Sequence, residues 1–256
     1  MIIAIANQKG GAGKSTTAAS MAAAMTARKR KTLIIDMDAQ GNTTDTAAAT
    51  ADKSTIYDVL TGRSSAASAI QQTAHGDIIP ATLELATMDN VLTATGKEYR
   101  LKKALAPIAE SYDFIILDTP PALGVLTVNA LTAAAGVIIP TNADKYGLQG
   151  IMQLCGQIES VREYTNPTLK ICGILLTRHT PRRVILRDYA EGLEGMAKKI
   201  ETKVYKTFIR DCTAIREAQA RQQSIFEYAP QSAGAEDYTA FVTEFLKTTK
   251  ERKNAK

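Results

Sequence analysis

Apolar, β-branched runs recur along this 256-residue chain, separated by stretches of mixed polarity. Near-continuous apolar segments fall at residues 2–7, 32–37, 113–118, 136–140, 170–177 and 203–208, with a shorter one at 77–80. Strands covered on both faces have this character, because neither face must meet water. The intervening stretches predict helices over 14–29, 98–111, 126–135, 148–164, 182–200 and 234–250. Such alternation predicts an α/β fold: a mainly parallel, twisted sheet with helices on both faces. The length suits one large α/β domain, and no Pro/Gly/Ser-rich linker divides it. Asp45 to Thr55 lacks large apolar residues and predicts a surface segment. The domain is expected over 1–246, followed by a basic tail at 247–256 without fixed structure.

Parallel strands place their C-terminal ends along one edge of such a sheet, where ligands sit. Lys9-Gly10-Gly11-Ala12-Gly13-Lys14-Ser15-Thr16 falls at that edge, after the first strand and before an Ala-rich helix. Glycines let consecutive backbone N–H groups turn inward, and the helix N-terminus adds partial positive charge. This is a phosphate cradle over residues 10–16, with Lys14 reaching the β/γ-phosphates and the Ser15 hydroxyl placed for Mg²⁺. The general pattern wants glycine at position 8, where this chain has Gln8. Lys9 is poorly placed for its own nucleotide and better placed for one held by a facing subunit. That implies an ATP-bound homodimer; a solvated lysine beside a tight turn is the alternative.

The loop resembles the deviant Walker A signature of the partition ATPases, the ParA/MinD superfamily. Asp36-Met37-Asp38-Ala39-Gln40-Gly41-Asn42 is similar to that family's second motif, and Asp118-Thr119-Pro120-Pro121 to the end of its Walker B segment. The motifs stand in family order, and the likeness weakens after about residue 180. It implies an ATP- and Mg²⁺-dependent ATPase with slow intrinsic turnover. By resemblance Asp38 orients the attacking water, Asp36 supports the magnesium shell, Asp118 holds the ion through water, and Lys9 touches the partner's phosphates. From sequence, Asp36 and Asp38 share one face only if the strand stays regular through both. Arg178 follows the 170–177 strand where the family has an Asn-Arg pair at the nucleotide. Thr177 replaces the amide, so ATP over GTP rests on the resemblance alone.

Charge adds a partner class. Residues 1–150 carry 13 basic and 13 acidic residues; the remainder carries 18 and 13, so the whole excess of +5 is C-terminal. Such asymmetry points to a polyanion or to a solvated basic face. Arg182, Arg183, Arg187, Lys198, Lys199, Arg210 and Arg216 are the candidate contacts, suited to phosphate backbone rather than base edges. Ala214 stands at a position commonly basic in the family. The resemblance implies nonspecific DNA binding by ATP dimers, stimulation by a ParB-type centromere-binding partner, and a cytoplasmic, nucleoid-associated location. The start of the chain is not a signal peptide, no helix-turn-helix precedes the cradle, and no apolar run reaches a membrane span. The basic last ten residues offer no apolar face, so a membrane partner is not expected; a MinD-like positioning ATPase or a nucleotide-gated adaptor remain the rival readings. Cys155, Cys172 and Cys212 are scattered, which suits reduced thiols and provides no metal cluster.

Overall fold

A computed structural model describes residues 1–74, 76–179 and 184–254, with side chains for all but 145, 146, 184–188, 190, 191 and 250–254. The N-terminal half runs β1 (Ile2–Ile5), α1 (Lys14–Ala27), β2 (Thr32–Asp36), α2 (Asn42–Thr46), α3 (Ile56–Thr61), α4 (Ala66–Ala69), β3 (Gln71–Thr73), β4 (Gly76–Ile79), α5 (Met88–Val91) and α6 (Arg100–Leu105). It continues through β5 (Phe114–Asp118), α7 (Val125–Ala133), β6 (Gly136–Thr141), α8 (Lys145–Tyr164) and β7 (Lys170–Leu176). Four helices close the chain: α9 (Val184–Lys199), α10 (Thr213–Ala220), α11 (Ile225–Tyr228) and α12 (Ala233–Asn254). The seven strands form one sheet in the order β3-β4-β2-β5-β1-β6-β7, parallel throughout except for the antiparallel β3–β4 pair.

Strand parity divides the core. Leu33, Ile35, Ile115, Leu117, Val137 and Ile139 face one layer, with α3, α6, α7 and α8 packed over them. Ile3, Ile5, Ile34, Ile116 and Ile138 face the other, covered by Met21 and Met25 of α1 and by Tyr238, Phe241 and Phe245 of α12. Both parities are buried, which is why the strands carry no polar alternation. The alanines of α1 let that helix lie close between sheet and α12.

Several sequence expectations change. The 203–208 run is not a strand of the sheet; it touches β7 through an isolated bridge, Ile174–Val204. The amides of Lys206 and Thr207 donate to the Glu244 carboxylate of α12, each at 3.0 Å, so the ladder with β7 is interrupted. The stretch from Asp45 is not all surface. Its start belongs to α2, and Thr46 and Ala47 are buried, while residues 50–53 are exposed. The 98–111 helix is shortened to α6, flanked by single 3-10 turns. Residues 247–254 of the basic tail continue α12, which runs to Asn254.

Phe241 is fully buried and meets the Tyr205 ring edge-on at 5.0 Å. Phe241→Ala should cost about 3–5 kcal/mol in urea denaturation. Leu83→Ala, at a residue 76% exposed, should stay within about 0.5 kcal/mol.

Candidate functional site

The register of the central strands builds the site. Ile5 lies beside Asp118, and Asp118 beside Asp36, so β1, β5 and β2 end together. After β1 the chain turns through the glycine loop into α1. Gly11 and Gly13 take φ of 72° and 84°, the left-handed region, and Gly13 caps α1 without a side chain. That leaves the first-turn amides facing an open cavity of about 470 Å³, within the range of small-ligand sites. Its lining includes Gly10, Gly11, Gly13, Lys14, Ser15 and Thr16 from the loop, with Asp38, Gln40, Asp45, Arg178 and Gln219 from other elements. Ala12 lies beneath, with no exposure.

Asp36 and Asp118 are both fully buried. Burial pushes the Asp36 carboxyl up to about 6 and the Asp118 carboxyl up to about 8; like charge adds to both, from Asp38 on Asp36 and from Asp36 on Asp118. Adjacent threonines of α2 hold them. Thr43 Oγ1 donates to Asp118 Oδ2 at 2.7 Å, and Thr44 gives both its amide and its hydroxyl to Asp36 Oδ2 at 2.8 Å. Asp36 Oδ1 accepts the Asp38 amide at 3.1 Å. Both oxygens of Asp36 are therefore engaged, whereas Asp118 Oδ1 is buried with no hydrogen-bond partner. The strand ends at Asp36, so the two aspartates diverge: Asp36 faces α2 and Asp38 lines the cavity. Lys14 is 6% exposed; desolvation lowers its pKa, opposed by Asp118 and Asp38.

The remaining candidates are placed unevenly. Lys9 forms an ion pair with Asp144, the N-cap of α8 in its own subunit. Arg178, at φ 51°, lines the cavity. The Thr177 hydroxyl has three acceptors in reach for its one proton, Ala12 O, Thr141 O and Asn142 Oδ1 at 2.9, 3.2 and 2.9 Å, so it is turned to the loop and to the end of β6. Arg182 and Arg183 lie outside the described residues, as does the side chain of Arg187. Lys198 and Lys199 are exposed in the last turn of α9. Arg210 is gripped by Asp237 and Glu236, which raise its pKa, and Arg216 pairs with Asp211 at 3.2 Å. Of the described candidates, Arg210 and Arg216 are thus paired within the chain, while Lys198 and Lys199 are exposed. Sequence reasoning missed Thr43, Thr44 and Gln219, whose side-chain amide donates to Thr16 Oγ1 at 3.1 Å.

The family profile described as "AAA domain" matches residues 1–171. The sporulation initiation inhibitor protein Soj of Bacillus subtilis (strain 168) is 39% identical over 93% of this chain and 94% of its own. The chromosome partitioning protein ParA of Myxococcus xanthus is 37% identical over 96% and 88%. The chain belongs to the ParA/MinD family of ATPases. A solved structure similar to this ParA/MinD-family chain is named cobyrinic acid a,c-diamide synthase of Mycobacterium smegmatis. It holds an ATP analogue and magnesium, with 34% identity, a TM-score of 0.83 and coverage of 97% and 95%.

The residues present fit such a ligand pair. Orphaned Asp118 Oδ1, with the Ser15 hydroxyl close enough to oppose its pKa rise, is the donor set a hard divalent cation takes. No helix among the described residues is long and apolar enough to cross a membrane.

Raised carboxyl pKa values have a sign. A buried acid that stays neutral in the folded state favours folding below its unfolded pKa, and that advantage is lost as pH rises through the folded value. In chelator and without nucleotide, the urea midpoint should therefore fall between about pH 4 and about pH 8, the span from 3.8 to the folded values. Asp118→Asn should flatten the upper part of that slope. A midpoint rising across this window contradicts the burial account.

Proposed function

We propose that this chain is a ParA-type partition ATPase. ATP with Mg²⁺ closes two copies into a sandwich dimer, the dimer binds DNA nonspecifically, and hydrolysis stimulated by a ParB-type partner releases it. The observation that carries the reading is the division of labour among the charged residues at one sheet edge. Lys14 and the loop residues Gly10, Gly11, Gly13, Ser15 and Thr16 line the cavity, placed to hold the phosphates, with Ala12 beneath them. Ser15 and Asp118 hold the metal, with Asp36 adding charge and fixing α2. Asp38 is aimed into the cavity, where it orients the attacking water. Lys9 lies outside its own cradle and is left for a second copy's phosphates. Bound Mg²⁺ supplies the charge neutralisation that phosphoryl transfer needs. Arg178 lines the same cavity and is assigned to the nucleotide. The Soj and ParA relatives support the partition role, and a cytoplasmic, nucleoid-associated location is part of the proposal.

A membrane-bound, MinD-like role finds no support in α12. Its apolar residues Tyr238, Phe241, Val242 and Phe245 are buried against the sheet, and the residues after Phe245 are mostly polar and basic. Asp38 in the cavity also argues against an adaptor without turnover.

Sedimentation tests the reading. Asp38→Ala should bind ATP and dimerise with Mg²⁺ but lose at least about a hundredfold in turnover, the scale of a positioned proton acceptor. Lys14→Ala should lose nucleotide, while Lys9→Ala should keep nucleotide and lose the dimer. DNA retention should need ATP and weaken steeply with salt, as counterion release demands. A wild-type rate in Asp38→Ala, or a monomer at high concentration with ATP and Mg²⁺, overturns it.

A further inference from the structure

Lys9 is held on its own subunit from several sides. Its ammonium meets Asp144 Oδ2, and the other oxygen of Asp144 accepts the Gly147 amide at 2.7 Å. Asp144 is thereby fixed at the start of the 20-residue helix α8 while it reaches the loop. The Lys9 amide donates to Asn7 Oδ1 at 3.0 Å, and Asn7 Nδ2 donates to Pro140 O at 2.7 Å. Gly150 of α8 makes room for this contact: a Cβ there would lie 2.7 Å from Asn7 Oδ1 and 3.6 Å from the Lys9 Cβ. The first turn of the loop and the start of α8 are one packed unit.

We propose that Asp144 is a positioning residue that latches Lys9 and sets the threshold for dimer formation. This rests on the sandwich-dimer reading above. The ammonium has three donors, so the competition is one of position: held at Asp144 it stays on its own subunit, and reaching a phosphate presented by a second copy draws it away from that carboxylate. The pair is partly exposed, with side-chain accessibilities of 20% and 39%, so water and salt weaken it. It biases the lysine toward its own subunit yet yields to the denser charge of a nucleotide polyphosphate. A two-fold dimer needs both lysines released, so the effect enters twice. The opposite role, a guide that aims Lys9 at the partner, predicts the opposite sign on removal.

The test compares Asp144→Asn with its parent, both carrying Asp38→Ala to arrest turnover. Asparagine keeps the size and the N-cap acceptor, removes the charge and puts an NH2 donor in place of the oxygen that meets Lys9. Two quantities are measured: labelling of Lys9 by an amine-reactive ester in nucleotide-free protein, read by peptide mass, and the dimer dissociation constant with ATP and Mg²⁺. Lys9 should label several-fold faster in Asp144→Asn. The dimer should tighten about 5-fold per subunit, hence about 25-fold, the upper range for an exposed pair. Asp144→Glu should restore both toward the parent. Unchanged labelling, or dimers that form with an equal or weaker constant, overturn the latch alone. Faster labelling with no dimer in either protein at any concentration overturns the sandwich reading and the latch with it.

Discussion

Two carboxylates, Asp36 and Asp118, stand side by side at the ends of adjacent parallel strands, and neither touches solvent. Parallel pairing gives β2 and β5 no freedom to separate them, since a one-residue slip would turn every core side chain to the wrong face. Like charges buried together are costly, so the surroundings must supply protons, donors or a cation. Lys14 supplies part of the positive charge, at the expense of its own desolvation. Thr43 and Thr44 supply donors. Of their four carboxylate oxygens only Asp118 Oδ1 is left without a hydrogen-bond partner, which is the basis for proposing a metal there.

The same constraint orders the elements around it. α2 is a single helical turn with little stability of its own, and it stays in place because its threonines answer both acids. Thr44 Oγ1 also accepts the Ala81 amide at 2.9 Å, tying in the segment after β4. α10 then spans two parts of the site: Gln219 reaches Thr16 of the loop helix, and Gln222, just past its end, reaches Asp45 of α2 at 2.8 Å. α10 is thereby tied both to the loop helix and to the helix that carries the two threonines.

The parts of this arrangement legible in the sequence were those encoded locally. The glycine loop, the apolar strands and the acids closing them are contiguous patterns, and the resulting sheet and cradle follow from them. Thr43 and Thr44 were not legible, because they lie at the edge of a stretch whose composition resembles surface; their partners are 75 and 8 residues away. The role of Thr177 depends on Ala12, 165 residues distant, and that of Asp144 on Lys9, 135 distant. The 203–208 run has strand composition, yet Glu244 on α12 intercepts its amides. Arg210 looked available because Asp237 lies 27 residues further on. In each case a side chain from a remote element decided the outcome, and no local period records that.

The extended segment from Lys203 to Arg210 also protects the molecule from itself. β7 ends the sheet on one side, and a bare outer strand invites pairing with another chain. Here Ile174 exchanges bonds with Lys203 and Tyr205, while Leu176 O and the His179 amide pair with Ile209, so the rim is occupied at intervals. The opposite rim is β3, only three residues long and polar. A protein with both rims blunted can crowd onto a surface at high local density without its sheets fusing into aggregates.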